Sequence, residues 1–217
     1  MVAVSEGFNV PDQAGLPNFT DDSGSFVVLA GQARTTATGG VSRHNTPMGT
    51  DQHFVEAELH PLNTTARPGL VVRKDPASET YYGVWARQQT SATFRLVKLV
   101  AGVETTLATT AAPVWAIGAV LRLEVEGTTS TVLTAYLDGV QVVTATDASS
   151  PLTGGTGVGL YNAVGDARWD NFSAADLGAP PAPTWHIWNG TAESPLSLDG
   201  EWNGSGITPV TFDFITP

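Results

Sequence analysis

Hydrophobic and polar residues alternate with a period of two over most of residues 26–172, the mark of half-buried β-strands. Val55, Ala57 and Leu59 fall on one face of such a strand, with Phe54, Glu56, Glu58 and His60 on the other. Leu121-Arg122-Leu123-Glu124-Val125-Glu126-Gly127 alternates almost strictly, as an antiparallel strand with one solvated face does. The same reasoning predicts strands at Phe26–Leu29, Leu70–Arg73, Tyr82–Arg87, Phe94–Val100, Val132–Leu137, Val140–Ala145, Gly157–Tyr161 and Arg168–Phe172. Asp138-Gly139 between Leu137 and Val140 is the strongest hairpin signal, and Val100-Ala101-Gly102-Val103 joins two more strands. No amphipathic stretch sustains a helix beyond one or two turns. The expected fold is all-β: a two-sheet antiparallel jelly-roll sandwich with an extended C-terminal β tail.

Composition agrees. The 217 residues include 23 Gly, 14 Pro and 28 Thr, and only 14% are charged. The net charge of −11 disfavours nucleic acid and anionic membrane surfaces as partners. The absence of cysteine removes disulfides, thiolate nucleophiles and Cys-based metal sites. The N-terminus has neither the basic nor the apolar region of a secretory signal, and no apolar run reaches membrane-spanning length, so a soluble chain is expected. Gly-Lys-Ser/Thr loops, Gly-x-Ser-x-Gly elbows and dinucleotide fingerprints do not occur.

The sandwich is expected over residues 1–178, followed by a Pro-rich linker at 179–184, an extended semi-rigid spacer. Residues 185–217 then contain a 14-residue repeat. Trp188-Asn189-Gly190 matches Trp202-Asn203-Gly204, Pro195 matches Pro209, and Asp199 matches Asp213, with Phe212 in the second unit's strand. So small a unit cannot bury its own Trp. Trp188, Trp202, Pro195, Pro209 and Phe212 are therefore read as docking residues, expected to engage a neighbouring chain.

Several segments carry a family resemblance: Glu6-Gly7-Phe8-Asn9, Asp51-Gln52-His53-Phe54-Val55-Glu56-Ala57-Glu58, Gly69-Leu70-Val71-Val72-Arg73, Leu133-Thr134-Ala135-Tyr136-Leu137-Asp138-Gly139, Gly157-Val158-Gly159-Leu160-Tyr161 and the closing Trp169-Asp170-Asn171-Phe172. In this order they resemble the concanavalin A-like (laminin G-like) jelly rolls of lectins, glucanases and carbohydrate-binding modules. The tail resembles the C-terminal Trp-x-Gly segments of virion proteins from phages of actinobacteria. Together these resemblances imply a virion structural protein made in the host cytoplasm, a minor tail or tail-tip component that forms a homo-oligomer among other virion proteins. Its lectin-like domain would contact host cell-wall glycan. The alternatives are a capsid decoration protein of the same fold, a glycan-degrading enzyme, and a free carbohydrate-binding module.

The chemistry weighs towards binding. Glycosidases of this fold carry Glu-x-Asp-x-Glu-type strands, and a retaining pair needs ~5 Å between carboxyl groups. Here Glu56 and Glu58 sit roughly 6–7 Å apart along one strand face. His60 replaces the third carboxylate, and Pro61 breaks the strand. No catalytic residue is assigned. Sugars stack on aromatic rings and bond planar polar groups, so Glu56, Glu58, Arg73, Trp85, Arg122 and Tyr136 are the candidate glycan contacts, with Tyr82 and Arg87 as further candidates for the same face. Tyr82 and Trp85 cannot both face one way in a regular strand, and Arg73 has a structural alternative as partner of Glu56 or Glu58. No metal site is assigned, because His44, His53, His60 and His186 are scattered. Calcium has only Asp21, Asp22, Asp166 and Asp170 as candidate ligands.

Overall fold

Strand after strand is joined by tight turns, and no helix occurs among the described residues. The computed structural model describes residues 1–35, 39–60, 66–87, 92–112, 115–163 and 167–178, with two short strands at 186–188 and 193–195. In chain order the first strands are β1 (Ala3–Glu6), β2 (Gln13–Ala14), β3 (Phe19–Ser23), β4 (Phe26–Leu29), β5 (Gln32–Thr35) and β6 (Gly40–His44). The middle strands are β7 (His53–Leu59), β8 (Pro68–Lys74), β9 (Tyr81–Arg87), β10 (Ala92–Val100), β11 (Val103–Ala112) and β12 (Ala119–Glu126). Then come β13 (Thr131–Leu137), β14 (Val140–Asp147), β15 (Gly157–Asn162), β16 (Arg168–Asp176), β17 (His186–Trp188) and β18 (Glu193–Pro195).

A nine-stranded antiparallel sheet runs β14-β13-β12-β7-β16-β5-β4-β2, with β1 also paired to β16. A seven-stranded sheet runs β11-β10-β9-β8-β15-β6-β3. This is the two-sheet jelly roll that the alternation predicts. Between the sheets, Val55, Ala57, Leu59, Leu121, Leu123 and Leu133 meet Leu70, Val72, Val84, Phe94, Leu96 and Leu160, all wholly buried. Burial of such apolar surface is what holds two amphipathic sheets face to face. Trp169 and Phe26 close the core at one end, ring centroids 5.9 Å apart.

The Asp138-Gly139 turn forms as predicted. Both residues take positive φ (50° and 77°), the condition for a two-residue turn whose twist matches its strands. Two of the departures from regular pairing re-aim polar side chains. Arg73 has φ of 50° near the end of β8, and the β8–β15 register slips there. Asn171 has φ of 46° inside a bulge of β16 against β7 between Asp170 and Ser173.

The chain divides into two compact units, Met1–Leu177 and Gly178–Pro217. In the second, β17 and β18 pair antiparallel, with Trp188 opposite Glu193 and His186 opposite Pro195. Trp202, Pro209 and Phe212 lie outside the described residues, as do Pro61 and Asp166.

Candidate functional site

The outer face of the nine-stranded sheet carries four of the six candidate glycan contacts. The register sets Ser173, Glu56, Arg122, Tyr136 and Gln141 side by side across β16, β7, β12, β13 and β14. Glu56 accepts hydrogen bonds from Ser173 Oγ (2.9 Å) and Arg122 Nη1 (3.3 Å). Arg122 also donates through Nε to Glu124 (2.7 Å) and lies 3.6 Å over the centroid of the Phe54 ring. Burial, reinforced by Glu124, pushes the Tyr136 phenol up.

Glu58, one step along β7, accepts from Asn171 Nδ2 (2.8 Å) and lies 3.3 Å from His60 Nε2. Asn171's amide, aided by His60, holds the Glu58 carboxyl below the usual range. The β16 bulge directs a second group here: Asp170, opposite Glu58, joins Glu58 and His60 with one ligand atom from each within 4.8 Å of the others. Burial, with the Glu58 charge adding to it, pushes the Asp170 carboxyl up. One imidazole and two carboxylates are a donor set that could hold a divalent cation. Sequence spacing does not show it, because only the bulge brings Asp170 to His60. Of the other acidic candidates, Asp21 accepts from Ser42 Oγ (2.6 Å) and the Phe26 amide (3.0 Å). Asp22 pairs with Arg43 and Lys74, both at 3.1 Å.

Arg73 and Trp85 do not join this face, and neither do Tyr82 and Arg87. They stand on β8 and β9, in the other sheet, because the chain crosses between sheets after β7. Arg73 pairs with neither Glu56 nor Glu58. Its positive φ turns the side chain inward, where it is wholly buried. It donates to the carbonyls of Asp51 (2.7 Å), Leu152 (2.6 Å) and Gly127 and to Thr131 Oγ1 (2.8 Å), with the Asp51 carboxylate 3.8 Å away. A cavity of about 310 Å³ borders it, walled by Asp75, Pro76, Thr80 and residues 152–156, but the guanidinium donors are already committed. The Arg73 amide in turn donates to Nε2 of buried His53 (3.2 Å), whose Nδ1 donates to the Thr50 carbonyl (2.9 Å). Burial lowers the His53 pKa to about 4, so this imidazole is neutral. Tyr82 is core, donating to Asp147 (2.7 Å), which also receives Lys98 (2.7 Å).

Trp85 lies on the outer face of the seven-stranded sheet, within a second hydrophobic cluster formed by Val41, Val71, Tyr81, Val97, Leu99 and Tyr161. The register places Arg95, Trp85, Gly69, Tyr161 and Val41 in one row across β10, β9, β8, β15 and β6. A Cβ on Gly69 would lie 3.0 Å from the Tyr161 ring and 3.1 Å from Trp85 Cβ, so the two aromatics flank a position that must lack a side chain. Trp85 is only 4% exposed, because two guanidinium groups cover its ring: Arg95 at 4.6 Å and Arg67 at 5.0 Å from the ring centroid. Arg87 shares this face by alternation. The Nε atoms of Arg67, Arg87 and Arg95 are buried without a hydrogen-bond partner among the described residues, so a ligand on this face can meet only the outer guanidinium nitrogens.

No family model matches the sequence. No curated protein matches it either. Solved structures do match in fold. Carbohydrate-binding module CBM66 from Bacillus subtilis is 16% identical, with a TM-score of 0.54 over 76% of this chain and 97% of that one. The exoplasmic/lumenal domain of VIP36, in its Ca²⁺/Man3GlcNAc-bound form, is 12% identical, with a TM-score of 0.54 over 77% and 87%. The GH43 protein BlXynB from Bacillus licheniformis is 15% identical, with a TM-score of 0.55 over 80% of this chain but 39% of that one. The first unit is thus a concanavalin A-like β-sandwich, the fold shared by carbohydrate-binding modules, lectin domains and parts of glycosidases.

Proposed function

We propose that the sandwich is a non-catalytic glycan-binding module whose ligand lies on the outer face of the seven-stranded sheet. The observation that carries this reading is the row of Arg95, Trp85, Gly69 and Tyr161, with the guanidinium groups of Arg95 and Arg67 over the Trp85 ring. Sugar hydroxyls can accept from the outer N–H groups of these guanidinium groups, and the aromatic layer beneath holds them in place. On the nine-stranded face Arg122 is instead tied to Glu56 and Glu124. The carbohydrate-binding module and the lectin domain among the similar structures favour the reading. A catalytic role for Glu56 and Glu58 finds little support, since a general acid needs a raised pKa and Glu58 is held low. Affinity electrophoresis of the full chain through gels containing neutral or acidic polysaccharides tests it. Retardation in at least one gel without release of reducing ends is expected, and free migration in all of them would refute it.

Within this role, the Trp-Asn-Gly repeat of residues 185–217 favours a virion component, a minor tail or tail-tip protein displaying the sandwich towards host glycans. The same tail on a capsid decoration protein is the second reading. Mass spectrometry of separated tails and capsids distinguishes them. Deleting residues 179–217 should block incorporation into the particle, and incorporation of the shortened chain would rule out the tail as the docking element.

A further inference from the structure

Resting on the glycan-binding reading, we propose that the outer face of the seven-stranded sheet takes an acidic, carboxylate-bearing polysaccharide of the polyuronate class. Arg67, Arg87 and Arg95 would pair with its carboxylates.

Charge segregation is the first ground. The chain carries ten Lys and Arg against 21 Asp and Glu. Five of those ten cations, Arg43, Arg67, Lys74, Arg87 and Arg95, gather on this one face, through β6, β8, β9, β10 and the residue before β8. The carboxylates beside them are Asp22, Asp75, Glu79 and Glu104. Asp22 is consumed by Arg43 and Lys74 together, and Lys74 also donates to the carbonyls of Asp75 (2.7 Å) and Ser78 (2.8 Å). With Asp75 beside Lys74, three guanidinium groups are left, among the described residues, with Glu79 and Glu104. The contact of Arg95 with Glu104 is 3.8 Å long with both side chains 36% exposed, a weak surface ion pair. In a chain of net charge −11 this face is the cationic exception.

Ligand chemistry is the second ground. Arginine rather than lysine supplies all three available cations, and its planar fork bonds a carboxylate in parallel pairs where an ammonium acts as a point charge. Arg67 and Arg95 both place the guanidinium group over Trp85, which fixes them without using their donors. A neutral sugar would leave the positive charge uncompensated. A polyuronate supplies a carboxylate on every ring, together with hydroxyl acceptors for the remaining N–H groups.

The test is affinity electrophoresis of the full chain in gels of polygalacturonate, of its fully methyl-esterified form and of inorganic polyphosphate. We expect strong retardation by polygalacturonate, at least tenfold weaker retention by the neutral ester, and loss of binding as salt rises past ~0.3 M, where the Debye length falls to about 6 Å. Arg67→Ala and Arg95→Ala should each weaken retention about tenfold, as loss of a charge-assisted hydrogen bond does. Arg95→Lys, which keeps charge and bulk, should recover only part of it. Circular dichroism and urea melts of the variants separate a lost contact from a lost fold, and Arg95→Lys carries the test if an alanine variant fails to fold. Equal retention by the neutral ester, or arginine variants that bind unchanged, would overturn the acidic-ligand proposal while leaving glycan binding standing. Equal retention by polyphosphate would overturn it in favour of a general polyanion surface. Failure to bind any polysaccharide would instead remove the glycan reading itself.

Discussion

The two outer faces of the sandwich use their polar groups in opposite ways. On the nine-stranded sheet, carboxylates and their donors are closed into a network: Glu56 with Ser173 and Arg122, Arg122 with Glu124, Glu58 with Asn171 and His60. On the seven-stranded sheet, Arg67 and Arg95 lie over a tryptophan, and Arg95 has only a 3.8 Å ion pair with Glu104. Side chains saturated by their own protein contribute to structure, whereas unsaturated ones retain bonding capacity for a partner. The comparison also separates neighbours in sequence. Arg73 and Lys74 are both buried cations committed to internal oxygen atoms, whereas Arg87 and Arg95 on the adjoining strands are not.

Arg73 gives the sharpest test of that division. Arg73→Met removes the guanidinium donors from three carbonyl groups and the Thr131 hydroxyl at once. A loss of about 3–5 kcal/mol in urea unfolding is expected, the cost of breaking a buried charge network. Arg95→Ala, by contrast, should cost no more than about 2 kcal/mol of stability, a surface ion pair together with a cation–π contact over Trp85. If Arg95→Ala destabilises as strongly as Arg73→Met, the cationic outer face is structural and the distinction collapses.

His53 belongs to the same buried hub and makes it sensitive to acid. The folded chain keeps this imidazole neutral down to about pH 4, while the unfolded chain takes up a proton near 6.5. Protons therefore favour the unfolded state as pH falls below 6.5. Stability from this group is complete above that value, declines towards pH 4 and then levels off. The full decline is about 3 kcal/mol. Urea melts at successive pH values should show that slope, and His53→Asn should flatten it. An unchanged slope in the variant would place the acid sensitivity elsewhere.

Much of this architecture is legible in the sequence, and the reasons for the rest are specific. Alternation finds β7, β12 and β13 because each has one solvated face, and Asp138-Gly139 announces its turn. Ala30-Gly31 makes a turn with both residues likewise at positive φ, yet its alanine hides the β4–β5 hairpin. Alternation also says which residues share a face without saying which sheet the face belongs to. That is why Arg73 and Trp85 are grouped with Glu56 in the sequence but not in space. One signal separates them: Leu70-Val71-Val72 is a continuous apolar run, as expected of a strand covered on both sides, and β8 is buried throughout. The strand glycines at 69, 83 and 159 point the same way, since an absent side chain marks close approach. The β16 bulge that brings Asp170 to Glu58 and His60 leaves no such trace, because Asp-Asn is also an ordinary strand-end pair.

The smallest predicted effect bears most directly on the carboxylate face. Glu56→Gln keeps the shape of the side chain and its ability to accept from Ser173, and removes only the charge opposite Arg122. Both partners are about 30% exposed, so solvent already screens the pair, and the stability change should stay within about 1 kcal/mol. Retention by polysaccharide should not change at all, since Glu56 stands on the opposite face from Trp85. Glu58→Gln should behave alike in binding, although its lowered pKa means that some stability gained above the ordinary carboxylate range is lost with the charge. If either substitution weakens glycan retention as much as Arg95→Ala does, the ligand also touches the nine-stranded sheet. The saturation of polar groups would then no longer tell the structural face from the binding one.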